Sequence, residues 1–202
     1  MPCVSNSATI NSSPGDEPMT DILVDDHAEV GALLSELARA FERGAGAGEI
    51  LSKIDYIWAR LAVHIRAEHL HLFPALLRES QGRGDDSTAR TSPAEEGVRA
   101  AVERLRDDHD FFMRELAAAV NDTRALAADK GPETRDELRR IEGRVRAVAE
   151  RLEEHNRLEE EQVYLWPRAL LSDEGRAELN AAMAREVENL PPRFAGGGAD
   201  PA

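Results

Sequence analysis

The unit His64-Ile65-Arg66-Ala67-Glu68 returns 91 positions later as His155-Asn156-Arg157-Leu158-Glu159. On an α-helix, residues four apart share a face one turn apart, so each His-x-x-x-Glu unit aims an imidazole and a carboxylate at the same point in space. That arrangement can hold a metal ion. One lone histidine precedes each unit, His27 and His109, and each follows an acidic pair, Asp25-Asp26 and Asp107-Asp108. The chain therefore reads His…HxxxE twice.

These residues lie within stretches of helical period. Leu23, His27, Val30, Leu34, Leu37 and Phe41 follow the 4-3-4-3-4 step of a helix packed in a bundle. A second stripe, Ile50, Ile54, Ile57, Leu61, His64, Glu68, His71 and Ala75, continues to about position 80. Val98, Val102, Leu105, His109, Phe112, Leu116 and Val120 form the third, reaching roughly Asp129. The fourth carries Leu138, Ile141, Val145, Val148, Leu152, His155, Glu159, Val163 and Trp166, and Pro167 is expected to kink or end it. Ser92-Pro93-Ala94-Glu95 reads as a helix start, with Ser as N-cap, Pro in the first turn and Glu closing a capping box. Ser172-Asp173 caps a short fifth helix to about Leu190, expected as a lid or packing arm.

The turns test whether the candidate ligands meet. In an antiparallel hairpin, two residues equidistant from the turn stand at the same height. His27 and His64 are centred on 45.5, inside the glycine cluster Gly44 to Gly48; His109 and His155 are centred on Pro132, in the breaker Gly131-Pro132. Glu68 and His109 are centred on 88.5, inside the polar crossing loop 81–91. Three turns identified by composition thus put six candidate ligands, His27, His64, Glu68, His109, His155 and Glu159, in one layer of an all-α, up-down-up-down four-helix bundle. The expected organisation is a disordered N-terminal tail (1–19), the bundle (20–171), a C-terminal helix (172–190) and a flexible tail (191–202), with Met19 as an alternative start.

Charge and cysteine usage narrow the function classes. Lys+Arg 25 against Asp+Glu 39 leaves −14, which disfavours nucleic acid and anionic membrane as partners. The single cysteine, Cys3, cannot form an internal disulfide, and no signal-like or membrane-length apolar run occurs, so a cytoplasmic setting is expected.

Four imidazoles and two carboxylates buried without partners would each cost kilocalories, a cost that metal removes. The nitrogen and oxygen donor set lacks thiolate and is too rich for one tetrahedral zinc, so it suits two carboxylate-bridged first-row ions. His27, His64-x-x-x-Glu68, His109 and His155-x-x-x-Glu159, over about residues 21 to 171, resemble the hemerythrin-like HHE cation-binding domain. His64-Ile-Arg-Ala-Glu68 running into Leu72-Phe73-Pro74, and His155-Asn156-Arg157-Leu158-Glu159-Glu160-Glu161 with Tyr164, share its texture. The resemblance implies two non-haem irons, oxo- or hydroxo-bridged, with Glu68 and Glu159 as carboxylate bridges and the four histidines as terminal ligands. It departs from the oxygen-carrying hemerythrins, which have a second histidine where this chain has Met113, and a carboxylate five residues after the helix-four histidine. By that spacing Glu160 competes with Glu159, which shares the stripe with His155.

The function implied is binding of O2, NO or peroxide for sensing, buffering or iron homeostasis. The alternatives are a di-iron enzyme consuming those molecules, and a structural bundle with zinc or no metal. His71, on the stripe, is a candidate supporting group or spare ligand. His69, about 140° around the helix from His64, reads as solvated. Asp26 and Asp108 read as surface charge, Glu160 and Glu161 as a charged outer face, and Phe73, Phe111, Phe112, Tyr164 and Trp166 as packing.

Overall fold

The computed structural model of the protein describes residues 21–81, 93–128 and 135–194. Every regular element among them is helical. Helix α1 (Asp21–Glu42) reverses into α2 (Ala47–Ala67), which widens into a π-helical turn (Glu68–Leu72) and continues as α3 (Phe73–Ser80). Helix α4 (Glu95–Ala128) is followed by α5 (Arg135–Glu161), a 3-10 turn (Val163–Leu165), α6 (Trp166–Leu170) and α7 (Asp173–Val187). The N-cap proposed at Ser92, most of the crossing loop, the Gly131-Pro132 breaker, the N-terminal tail and residues 195–202 of the C-terminal tail lie outside the described residues.

The first reversal shows why the glycine cluster ends a helix. Gly44 has φ 74°, a left-handed conformation that glycine adopts without a Cβ clash. Its N–H donates to the Phe41 carbonyl (3.0 Å) and the Ala45 N–H to the Ala40 carbonyl (3.0 Å), the paired bonds of a Schellman cap.

The four long helices close a ring: α1 packs on α2 and α5, and α4 packs on the same two. The stripes point inward. Leu37, Ile50, Ile54, Phe112 and Leu116 are fully buried in one core cluster, and Leu23, Leu72, Phe73, Leu76, Val98 and Leu105 in another. The candidate ligand layer supplies the buried polar residues between them: His27, His64, Glu68, His109, His155 and Glu159.

Two local departures from the expected helices matter to that layer. The second stripe does not run through His71. A π-helical turn takes more residues than an α-helical one, so each later side chain lags around the axis. His71 swings to the outer face, and Leu72 and Leu76 take its place in the core. Nor does the fourth helix continue to Pro167. It stops at Glu161; Gln162 leaves helical geometry, and Pro167 sits in the first turn of α6, where its missing N–H leaves no bond unmade.

Helix α7 starts as expected, with the Ser172 hydroxyl accepting from the Gly175 N–H (3.2 Å), and ends at Val187 rather than Leu190. It packs on α2 and on the π-helical turn. Arg66 pairs with Glu186 and donates to the Asn189 carbonyl (3.3 Å), while Phe194 closes edge-on against Tyr56. Leu37→Ala, remote from the polar layer, should cost about 2–5 kcal/mol. Urea titration should show a lower midpoint with an unchanged slope and unaltered metal binding.

Candidate metal centre

Each long helix contributes one buried histidine to the layer: His27 from α1, His64 from α2, His109 from α4 and His155 from α5. They meet as two pairs through Nε2. His27 and His64 approach to 3.2 Å, and His109 and His155 to 3.1 Å. The outer nitrogens are all engaged. His64 Nδ1 donates to Asp26 Oδ2 (2.7 Å), His155 Nδ1 to Asp108 Oδ2 (3.2 Å) and His27 Nδ1 to Glu160 Oε1 (2.8 Å). The fourth, His109 Nδ1, faces His69 Nε2 at 2.9 Å. A carboxylate at Nδ1 holds a proton there and turns Nε2 inward, where the neutral imidazole offers its lone pair to a metal. His27 Nε2 lies 3.2 Å from His64 Nε2 and also 3.2 Å from both Glu159 Oε2 and the Tyr164 hydroxyl, so the inner nitrogens converge on the centre of the layer.

The carboxylates sit among these nitrogens. Glu68 and Glu159 are both 0% exposed. Glu159 Oε2 stands 3.2 Å from His27 Nε2, while its Oε1 stands 3.1 Å from His155 Nε2. The same residue therefore completes two clusters, His27–His64–Glu159 and His109–His155–Glu159. Glu68 Oε2 lies 3.2 Å from His109 Nε2 and 3.7 Å from His64 Nε2. Despite these short distances, Glu68 Oε2 and Glu159 Oε1 have no aligned hydrogen bond among the described residues. Orphaned carboxylate oxygens facing the inward Nε2 atoms of buried imidazoles form a nitrogen and oxygen donor set, so the residues fit a metal.

Among the side chains themselves, this charge is balanced with protons. Burial and then repulsion from Glu159 push the Glu68 carboxyl up to about 8. Glu159 is also opposed by burial, yet His155 and His27 hold it well below the ordinary carboxylate range. For His155, burial works against the charged form, but Glu159 and Asp108 outweigh it and raise the imidazole to about 10. For His109, burial and then repulsion from His155 and His64 outweigh the attraction of Glu159 and Asp108 and push the imidazole down to about 3.

All six residues of the expected layer are thus brought together. Glu159 lies inside both clusters, and Glu160 lies one shell out, on His27 Nδ1. His71 does not join them: it is 30% exposed and its Nε2 stands 4.0 Å from Glu186 of α7. Met113, half-buried, packs against the lower core.

Four contributors read as bland in the sequence. Asp26 and Asp108 are buried, each pairing with an arginine, Arg60 and Arg151, as well as with a histidine of the neighbouring helix. Their signal was the acidic residue immediately before the lone histidine in both halves: one step turns about 100° around the helix, toward the hairpin partner. His69 reads as solvated by α-helical geometry, but the π-helical turn brings it to His109. Tyr164 reads as packing, yet its hydroxyl donates to Glu68 Oε1 (2.8 Å) and lies 3.1 Å from Glu159 Oε2 and 3.2 Å from His27 Nε2. The break after Glu161 carries it there.

Groups that orient ligands set affinity, so Asp26→Asn, Asp108→Asn and His69→Ala should each weaken metal binding about 10–100-fold. Titration against a chelating competitor checks this. The metal-free protein should also lose stability in alkali. His155 and Glu68 both have raised pKa values when folded, so their stabilising contributions are complete below their ordinary values of 6.5 and 4.5. Those contributions disappear as pH rises through about 10 for His155 and about 8 for Glu68. Urea midpoints should fall between neutral and alkaline pH, and less steeply once metal replaces the protons.

The model of the hemerythrin HHE cation-binding domain matches residues 18–167. No curated protein and no solved structure matches the chain. The match spans all four long helices and every histidine of the layer, and the chain belongs to the hemerythrin HHE cation-binding domain family.

Proposed function

We propose that the protein holds two non-haem irons, one between His27 and His64 and the other between His109 and His155, with Glu159 and Glu68 between them. The observation that carries this reading is the shared carboxylate: each oxygen of Glu159 faces a different histidine pair. Two divalent ions bring charge +4 against −2 from the glutamates, and an oxo or hydroxo bridge offsets much of the rest. Such a centre supplies redox capacity and an open position for O2, NO or peroxide.

The chain's own residues define what that centre would be. Nitrogen and oxygen donors without thiolate favour iron, manganese or zinc over soft ions. Support of three histidines by carboxylates increases their donor strength and favours the oxidised metal. Met113 in place of a further histidine removes one nitrogen, so the site is built for sensing, buffering or iron homeostasis by ligand or peroxide binding rather than for reversible oxygen carriage. The −14 charge argues against nucleic acid or anionic membrane as partners, and a lone cysteine suits a reducing cytoplasm.

Anaerobically purified protein should contain two irons per chain, with an absorption spectrum that changes on adding peroxide. A stable stoichiometric adduct supports the sensing and buffering reading; many turnovers per site would make the protein an enzyme. Zinc alone, or no metal, would sink both. His155→Ala and Glu68→Ala should lose metal and melt below the loaded wild type, because an ion that binds only the folded chain stabilises it. Two retained irons with unchanged melting would overturn the ligand assignment.

A further inference from the structure

Tyr164 is placed as a ligand would be. Donor atoms about 2.1 Å from one ion and at right angles to each other lie about 3.0 Å apart. In the second cluster, His109 Nε2 to His155 Nε2, His155 Nε2 to Glu159 Oε1, and His109 Nε2 to Glu68 Oε2 measure 3.1, 3.1 and 3.2 Å. The first cluster has the same edges only when the phenol is included. His27 Nε2 is 3.2 Å from each of His64 Nε2, Glu159 Oε2 and the Tyr164 hydroxyl, which is 3.1 Å from Glu159 Oε2.

Without Tyr164, the two positions are unequal: His109 and His155 have an oxygen from each glutamate, while His27 and His64 have close contact with Glu159 alone. Glu68 Oε2 is 3.7 Å from His64, and Glu68 Oε1 is turned to the phenol. We propose that Tyr164 is a ligand of the ion held by His27 and His64, so that each position has two imidazoles and two oxygens from the protein. The inference rests on the metal reading above. On binding, the phenol O–H bond breaks, an oxygen–metal bond forms and the proton leaves to solvent; no electron is transferred. A phenolate is a hard, anionic oxygen donor that favours trivalent over divalent iron. An iron held by His27, His64 and Tyr164 would therefore be the more readily oxidised of the two.

The chain has two tyrosines, which makes the assignment clean. The Tyr56 hydroxyl points away from the layer, 3.4 Å from Glu29, and serves as the control. Full-length protein, Tyr56→Phe and Tyr164→Phe would be loaded with ferrous iron without oxygen and then oxidised in air. Wild type and Tyr56→Phe should show a visible phenolate-to-ferric charge-transfer band and the resonance-Raman ring modes of a coordinated tyrosinate. Tyr164→Phe should lack both and bind one of its two irons at least about tenfold more weakly. Ring-deuterated tyrosine in the wild type should shift the same modes, a readout that needs no variant to fold. Two irons per chain with no tyrosinate modes would overturn this proposal while leaving the di-iron reading standing, with Tyr164 a hydrogen-bond donor to Glu68. Absence of iron uptake would overturn both.

Discussion

Glu68 and Glu159 meet around one phenol hydroxyl in the centre of a helical bundle, where neither is exposed to solvent, and the polar layer is organised by the need to balance them. Two like charges at this range in a poorly polarisable interior cannot both ionise unaided. Without metal, the solution is an unequal sharing of protons: Glu68 is driven up, Glu159 down, and His155 is charged in response. The histidine pairs present the matching problem in nitrogen, since each turns two Nε2 atoms inward to within 3.2 Å of each other. A cation between each pair satisfies the imidazoles and the carboxylates together, which is why so many buried polar groups can stand in one layer of an otherwise apolar core.

Support for that layer is built twice, and the copies differ at their outer ends. Arg60–Asp26–His64 crosses the first hairpin, and Arg151–Asp108–His155 crosses the second. In the second, Arg151 also covers the ring of Phe111 at 4.6 Å and is substantially exposed. In the first, Arg60 is more buried, also reaches Glu29, and donates to the Val187 carbonyl at the end of α7 (3.3 Å). Helix α7 is thereby tied, through Arg60 and Asp26, to a histidine of the layer. It fastens α2 where that helix departs from α-helical geometry, which accounts for a segment that otherwise brings no chemistry.

The parts of this arrangement legible from sequence are those set by period and symmetry. Heptad-like stripes locate the inward faces, and a turn's position determines which residues of a hairpin share a height, so six residues could be placed in one layer before any contact was known. The layer's outer contacts depend on something periodicity does not carry. Asp26 and Asp108 lie beside the stripes, where an acidic residue is usually solvated, and only the partner helix makes them buried. His69, His71 and Tyr164 depend on local changes of helical pitch: a π-helical turn at Glu68 and a 3-10 turn after Gln162. Neither change has a glycine or proline at its centre to announce it. Pro167, the visible breaker, lies beyond the interruption and starts the next helix.

The π-helical turn is the more consequential of the two changes. Adjacent residues of an α-helix point about 100° apart, so one helix normally offers a buried centre a residue every three or four positions. Here Glu68 and His69 are consecutive and both serve it, the first between the imidazoles and the second behind His109. The lag in rotation also sets Phe73 nearly parallel to His109, with ring centroids 5.9 Å apart, so that imidazole is held at its outer nitrogen and against one face. Poorer backbone geometry and a large apolar side chain left in solvent, Leu70 at 56% exposure, accompany this gain. Such a departure persists when surrounding packing over-determines it. The contacts of α7 with the turn and the fully buried Leu72, Phe73 and Leu76 after it provide that packing. His109, the one histidine of the layer without a carboxylate at its outer nitrogen, is thus the one whose support required the helix to change pitch.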